Sequence, residues 1–321
     1  MLTMDRLCTS FAHVQLRDPN TNRSPEIQTS PPITSSNSNQ RFHHSSNHYF
    51  RRSPTKPRGQ EFHSFLCLDV ESTCINSNQR HLDNPHNLNE YQLAWMYPNE
   101  IIEWPVILMQ WRHCSGRWEL YEVDRYRSFV KPTWRPEISE FCTQLTGITQ
   151  QDTDNAPTLP AMLKDFQINF IERHQLFTVH NRSVWVTDGP WDLRDHWIKS
   201  IFLSKLKRYQ IPSYLQSPIH MIDMRYLLQA FIPKVYCIRP PTSLSLNESL
   251  KIFGLEFEGQ EHSGIDDAAN LSRLLSKLTQ FDCRSNEMPF KWIFRANRTL
   301  NIEPKRYFWM GKGQQCTWIA P

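Results

Sequence analysis

The chain lacks several features that would otherwise announce a class. None of its eight cysteines stands in a C-x-x-C pair, and neither Cys283 nor Cys316 has a partner at zinc-knuckle spacing, so a structural zinc is not expected. Several of these cysteines lie in apolar stretches, where a thiol acts as a small hydrophobe, and reduced intracellular thiols are the expectation. No stretch approaches the roughly 20 apolar residues of a membrane helix, and "MLTMDRLCTSFAHVQLRD" at the start has no apolar core followed by a small-residue cleavage site. A soluble protein of the cytoplasm, the nucleus or both is expected, with no membrane partner. Charge of one sign is missing too: Lys+Arg 36 against Asp+Glu 32 leaves +4, so an anionic partner has to be met by local patches. No internal repeat is visible.

What is present suffices for a real core, with 39% hydrophobic residues in 321. Residues 1–60 read as a disordered polar and basic region, because its Ser, Asn, Pro, Arg and His residues cannot bury enough surface to offset ordering entropy. Order is expected from Phe62. Residues 65–70 are apolar on both strand faces, as in a central strand covered on both sides. Runs at 100–112 and 117–132 predict two further strands, antiparallel neighbours of one another. Then the period changes. Ile138, Phe141, Cys142 and Leu145 predict a helix stopped at Gly147, and Leu159, Met162, Leu163, Phe166 and Phe170 a second. Extended chain is expected at 176–179 and 183–186, and helices from Pro190 to about residue 208, over 224–231, over 244–255 and over 266–278. Strands first and helices around them predict an α/β sandwich.

The acids are the candidate chemistry. In extended chain Asp69 and Glu71 project to the same side, and two like charges so placed need a shared proton or a cation, with hard oxygen ligands favouring Mg2+ or Mn2+. Alone, Glu71 is equally a solvated strand end. In "VTDGPWD" Asp188 and Asp192 compete; a carboxylate before a helix commonly caps it, which fits Asp188. In "EHSGIDDAANLSRLL" Asp266 and Asp267 diverge by about 100° on a helix, so one of them is a cap or solvated, and His262 by itself reads as a polar loop residue.

Taken in order, D-x-E at a strand end, Asp at a mid-chain helix start and H-x-x-x-x-D at a late helix start resemble the DEDDh (DnaQ-like, RNase H-fold) 3′→5′ exonucleases. Five blocks, "LDVESTC", "YPNEIIEWPV", "FCTQLTGIT", "VTDGPWD" and "HSGIDDAAN", are similar to the Eri-type (Enhanced RNAi) exoribonucleases over Phe62 to Phe281. The resemblance implies an RNase H-like mixed β-sheet flanked by helices, an exonuclease domain over 61–281 and a basic, aromatic C-terminal extension over 282–321. It singles out Asp69, Glu71, Asp192 and Asp267 as ligands of two Mg2+ ions, replaceable by Mn2+, with Asp188 and Asp266 as neighbours. His262, with a reference pKa near 6.5, is then the base that takes the proton of the attacking water. Asp69 is expected to bridge the ions, Glu71 and Asp267 to complete the water-binding one, and Asp192 to hold the other. Tyr97 to Glu100 would start the strand beside the catalytic one, while Leu145, Thr146 and Ile148, with Thr73 and Trp191, would line the 3′ nucleotide. Ser72 departs from the frequent Gly or Ala, and no SAP nucleic-acid-binding module is recognisable.

The implied activity is trimming of RNA 3′ ends, single-stranded or with short overhangs, to nucleoside 5′-monophosphates, in small-RNA or rRNA processing. A DNA exonuclease and a non-catalytic adaptor holding RNA 3′ ends are the alternatives. "FKWIFRANRTLNIEPKRYFWMGKG" (290–313) suits either phosphate contacts with base stacking or plain packing. "RRSPTKPRG" (51–59) reads as a solvated basic linker, His43, His44 and His48 as unstructured, and His180-Asn181 as sheet-edge polarity.

Overall fold

The computed structural model describes residues 54–75, 98–238, 240, 244–280 and 298–300, and the backbone of 307–309 and 317–319; all belong to one unit, Ser53–Pro321. Tyr97, the three tail histidines, Cys283, Cys316, residues 51–53 of the basic linker and most of 290–313 lie outside the described residues.

Strand β1 (Ser64–Leu68) is buried along its whole length. Its alternation decides where each side chain goes: Phe65 and Cys67 enter one apolar layer, Leu66 and Leu68 the other. β2 (Glu71–Ser72) and β4 (Arg117–Phe129) both pair with the long β3 (Ile101–Cys114), which lies antiparallel to β1. On the other flank β5 (Ser183–Thr187) runs parallel to β1 and β6 (Ile219–Asp223) parallel to β5. β7 (Arg298–Leu300) closes that flank antiparallel, giving a seven-stranded mixed sheet among the described residues. β8 (Tyr307–Trp309) and β9 (Thr317–Ile319) form a separate pair. The antiparallel order of the three strands expected from 65–70, 100–112 and 117–132 is therefore present.

Helices cover both faces. On one side lie α5 (Met224–Tyr236), α6 (Leu246–Ile252) and α7 (Gly264–Gln280), with Leu228, Leu250, Leu271 and Leu275 against Cys67 and Val186. On the other lie α3 (Leu159–Phe166), continued by a π-helical turn (Gln167–Glu172), and α4 (Trp197–Leu203). Trp104, Phe166, Trp185 and Trp197 fill that layer with ring centroids about 6 Å apart, 6.1 Å for Trp104 and Phe166 and 5.7 Å for Trp104 and Trp197, in edge-on and tilted geometry. The short α1 (Glu140–Thr146) and α2 (Gln150–Asp154) precede α3, and α1 stops at Gly147 in the left-handed conformation, φ 76°. No helix among the described residues is long and apolar enough to cross a membrane.

Four local expectations need correction. The helix expected to run to about residue 208 ends at Leu203: Leu206 N–H donates to Ile201 O and Lys205 N–H to Phe202 O, with Lys205 at φ 53°. That is a Schellman stop made without glycine, and so invisible to a glycine search. Residues 176–179 are turns, because Gln175 and Phe177 take positive φ. Asn181 is buried, 1% exposed, and not edge polarity; its side chain accepts from Ser64 Oγ at 2.7 Å and donates to His174 O at 2.9 Å. β6 was not expected at all, since its five residues run straight into α5, with Asp223 serving as strand end and N-cap together.

Candidate active site

Because β1 and β5 are parallel, with Cys67 opposite Val186, both leave the sheet at the same end. Asp69 follows β1 directly, and the turn Asp188-Gly189-Pro190-Trp191 follows β5 and delivers Asp192. The turn folds tightly: a Cβ on Gly189 would lie 1.9 Å from the Trp191 ring, so only glycine lets that ring fold back. Asp192 is then tied across to the D-x-E segment, its Oδ1 accepting from Val70 N–H at 3.0 Å. Val70 sits between Asp69 and Glu71, so this one hydrogen bond brings three acids into one neighbourhood.

The fourth acid arrives on α7. The helix N-terminus abuts the end of β1, where a Cβ on Gly264 would come 2.7 Å from Asp69 O. Asp267 occupies the first turn, its N–H donating to Ser263 O at 2.8 Å. Its carboxylate accepts from the His262 N–H. Asp266 turns away and accepts from Gln260 N–H at 3.0 Å, fastening the preceding loop. His262 is exposed at the rim with φ 66°, a conformation seldom adopted by a residue with a Cβ and a reason to look for function there.

Electrostatics reports the same convergence. Burial raises Asp69 well above the ordinary carboxylate range, and the charges acting with it are all negative: Asp192, Asp267, Glu71 and Asp188. Glu71 is raised by burial and then by Asp267, Glu103 and Asp192. Burial pushes Asp192 up to about 7 against the bond from Val70, and Asp267 up to about 8. Partial burial lowers His262 below its usual value, so its ring is neutral and able to accept a proton at pH 7. Among the described residues no group of three or more His, Cys, Asp or Glu side chains stands in an arrangement that could hold a metal ion. The acids are neighbours in one field, and two of them place an oxygen on a backbone N–H.

Of the residues expected to line a nucleotide, Leu145 and Trp191 keep part of their surface exposed. Thr73, Thr146 and Ile148 are buried and engaged. Thr73 Oγ1 accepts from Glu100 N–H at 2.9 Å, Thr146 Oγ1 donates to Cys142 O at 2.9 Å, and Ile148 packs with Ile102 and Cys142. Residues absent from the expected site also border it. Asp188 is bound by Arg225 through Nε at 2.9 Å and Nη2 at 2.5 Å, and the same guanidinium lies 4.9 Å over the Trp191 ring. Fully buried Glu103 lies opposite Glu71 in the β2–β3 pairing. The one signal for it in the sequence is a charge inside the otherwise apolar run "IIEWPVILM".

A mixed sheet with acids gathered at one end of its central strand, and His262 in the loop before α7, is an architecture that suits a nuclease-type hydrolase. The exonuclease family model matches residues 66–275, and the chain belongs to that family, in its Eri-type DEDDh branch. It is 32% identical over 257 residues to the fission yeast (Schizosaccharomyces pombe) 3′-5′ exonuclease eri1, covering 71% of this chain and 74% of that one. It is 29% identical over 249 residues to human 3′-5′ exoribonuclease 1, covering 75% and 61%; the match thus spans less than two thirds of this mammalian relative. The nuclease domain of 3′hExo, a DEDDh family member, bound to rAMP superposes with TM-score 0.56 at 27% identity, over 74% of this chain and 98% of that one. A 3′-exonuclease structure showing recognition of the histone mRNA stem-loop has the same TM-score at 26% identity, covering 71% and 68%.

Proposed function

We propose that this chain removes nucleotides from RNA 3′ ends by divalent-metal-dependent hydrolysis, releasing nucleoside 5′-monophosphates. One observation carries the reading: Asp69, Glu71, Asp192 and Asp267 come from three separate chain segments and share a largely desolvated, negative environment in which Asp192 is buried and the others half-buried. Like charges held this way are costly unless protonated or neutralised. The donor set is all carboxylate oxygen, which fits Mg2+ or Mn2+ and not the softer metals that favour thiolates. These four residues would hold the ions, which when bound supply an activated water and relief of charge on the phosphate and the leaving 3′-oxygen.

The chain's own residues do the rest. His262, neutral at pH 7, accepts the proton of the attacking water. Trp191, with Arg225 on its ring, offers a stacking face for the terminal base, and partly exposed Leu145 at the end of α1 offers apolar surface to the nucleotide. RNA as substrate is supported by the Eri-type relatives, which are exoribonucleases by name. We assign the exonuclease domain to 61–281 and the extension to 282–321, of which β7 joins the sheet edge.

The test is a 5′-labelled RNA and its DNA equivalent incubated with the purified chain in Mg2+, with and without EDTA. A ladder of shortened RNA that EDTA abolishes, with 5′-monophosphate products, is expected. Binding without shortening would make the chain an adaptor, and equal shortening of both strands would make it a general exonuclease.

A further inference from the structure

We propose that Glu103 is a positioning residue of the active site, setting the distance between the acid on α7 and the acids at the end of β1. The inference rests on the reading above and adds a group that touches neither substrate nor metal.

Glu103 is fully buried in β3, directly opposite Glu71. Its two oxygens face two ways. Oε2 accepts from Gly264 N–H at 3.2 Å, and the Ile265 N–H donates to the same carboxylate. Oε1 accepts from Arg127 Nε at 2.7 Å. The first pair of bonds satisfies N–H groups that the opening turn of α7 cannot bond internally, and puts negative charge where the helix dipole favours it. The Arg127 bond offsets the cost of burying the charge; Arg127 reaches in from β4, 45% exposed, with its guanidinium 4.9 Å over Phe129.

The consequence is geometric. Gly264 is three residues before Asp267, less than one helical turn, and is pressed onto Asp69 O so closely that a Cβ would sit 2.7 Å away. Glu103 pulls that same residue from the β3 side. Strand register fixes Glu103 against Glu71, and helix geometry fixes Gly264 against Asp267. One carboxylate therefore joins the two sides of the acid cluster, across 161 residues of sequence. A carboxylate serving only helix stability had no need to stand opposite a site acid.

The deciding experiment uses the full chain and its Glu103→Gln variant, which keeps the volume and loses one acceptor. Mn2+ binding is measured calorimetrically without RNA, and amide exchange at Gly264 and Ile265 alongside it. Supporting residues behind metal ligands typically change metal affinity by about 10–100-fold, and a loss of that size is expected, with faster exchange at both amides. In turnover assays kcat should fall while KM for RNA holds, with the folded fraction shown complete by circular dichroism at the assay temperature, since a partly unfolded population would also lower apparent kcat at constant KM. Wild-type Mn2+ affinity in a folded Glu103→Gln chain would overturn the proposal. If that variant does not fold, Glu103→Asp decides: it keeps the charge for Arg127 but withdraws it from the helix by one methylene, and unaltered Mn2+ affinity there is equally fatal. Should the wild type bind no Mn2+, the nuclease reading fails first; unchanged exchange at Gly264 and Ile265 in the variant would then reject the positioning role by itself.

Discussion

Two groups of carboxylates in this fold, Glu100 with Glu103 and the buried or half-buried acids around Asp69, have partners that could hardly differ more. Glu100, 3% exposed, accepts from Thr133 N–H at 2.7 Å, Thr133 Oγ1 at 3.0 Å, Trp134 N–H at 2.8 Å and Arg135 N–H at 3.1 Å. Glu103 has Arg127 and the α7 N–H groups. In the other group Asp69 and Glu71 face its further members, while Asp192 and Asp267 face Asp188, Asp195, Glu261 and Asp266, with backbone bonds to Asp192 and Asp267. A satisfied buried charge builds the fold; a buried charge opposed by its neighbours needs something from outside. That is the physical difference between the two groups, and residue type does not reveal it, since both are made of carboxylates beside apolar residues.

Substitutions at Glu100 and in the acid cluster should separate stability from activity, and the largest effect is expected at the centre of the cluster. Asp69→Asn should reduce RNA 3′-trimming to background while leaving the far-UV circular dichroism unchanged; retained trimming would remove Asp69 from the site. His262→Ala should lower kcat by about 10²–10⁴-fold, the usual yield of a general base, read in single-turnover assays at saturating Mg2+. On the satisfied side, Glu100→Gln should cost about 2–4 kcal/mol in urea unfolding, because hydrogen bonds to an ionised group are worth about 1.5–3 kcal/mol each and several weaken together. A loss near zero would erase the contrast between the groups.

The smallest effect sharpens it most. Asp192 and Asp267 titrate near 7 and 8 in the folded chain, against about 3.9 when unfolded. Between those values the folded state holds more protons than the unfolded one, so the contribution of these two groups is fully present below the unfolded value and is lost as pH rises through the folded pKa values. Metal-free protein should accordingly lose Tm between about pH 5 and pH 8, and Mg2+ should restore much of the loss. Asp267→Asn should raise the metal-free Tm at the upper end, by about 2–4 °C for each kcal/mol of repulsion relieved in a domain of this size. A metal-free Tm independent of pH would show that the acids do not oppose one another.

Much of this was legible beforehand. β1 could be read because a strand apolar on both faces has few other places than the middle of a sheet, and α7 because its apolar residues recur at helical period over 17 residues. The stop at Gly147 announced itself through the residue type. The end of α4 did not, since Lys205 takes the left-handed conformation without being glycine. β6 escaped because five residues carry too little pattern to stand out beside the helix that follows. The choice between Asp188 and Asp192, and between Asp266 and Asp267, is open on residue pattern; in the structure Arg225 holds Asp188 and the Gln260 N–H holds Asp266, while backbone N–H groups of Val70 and His262 bind Asp192 and Asp267.

By itself the sequence determined which segments could be strands or helices and which acids were available, because periodicity and residue type are local properties of the chain. Only the tertiary structure decided which acids meet, which are neutralised by a cation, and that Glu103 faces Glu71 on one side and the α7 N-terminus on the other. Coulomb energy and burial depend on distances through space, and here those distances join residues separated by more than a hundred positions, such as Val70 to Asp192 and Glu103 to Gly264.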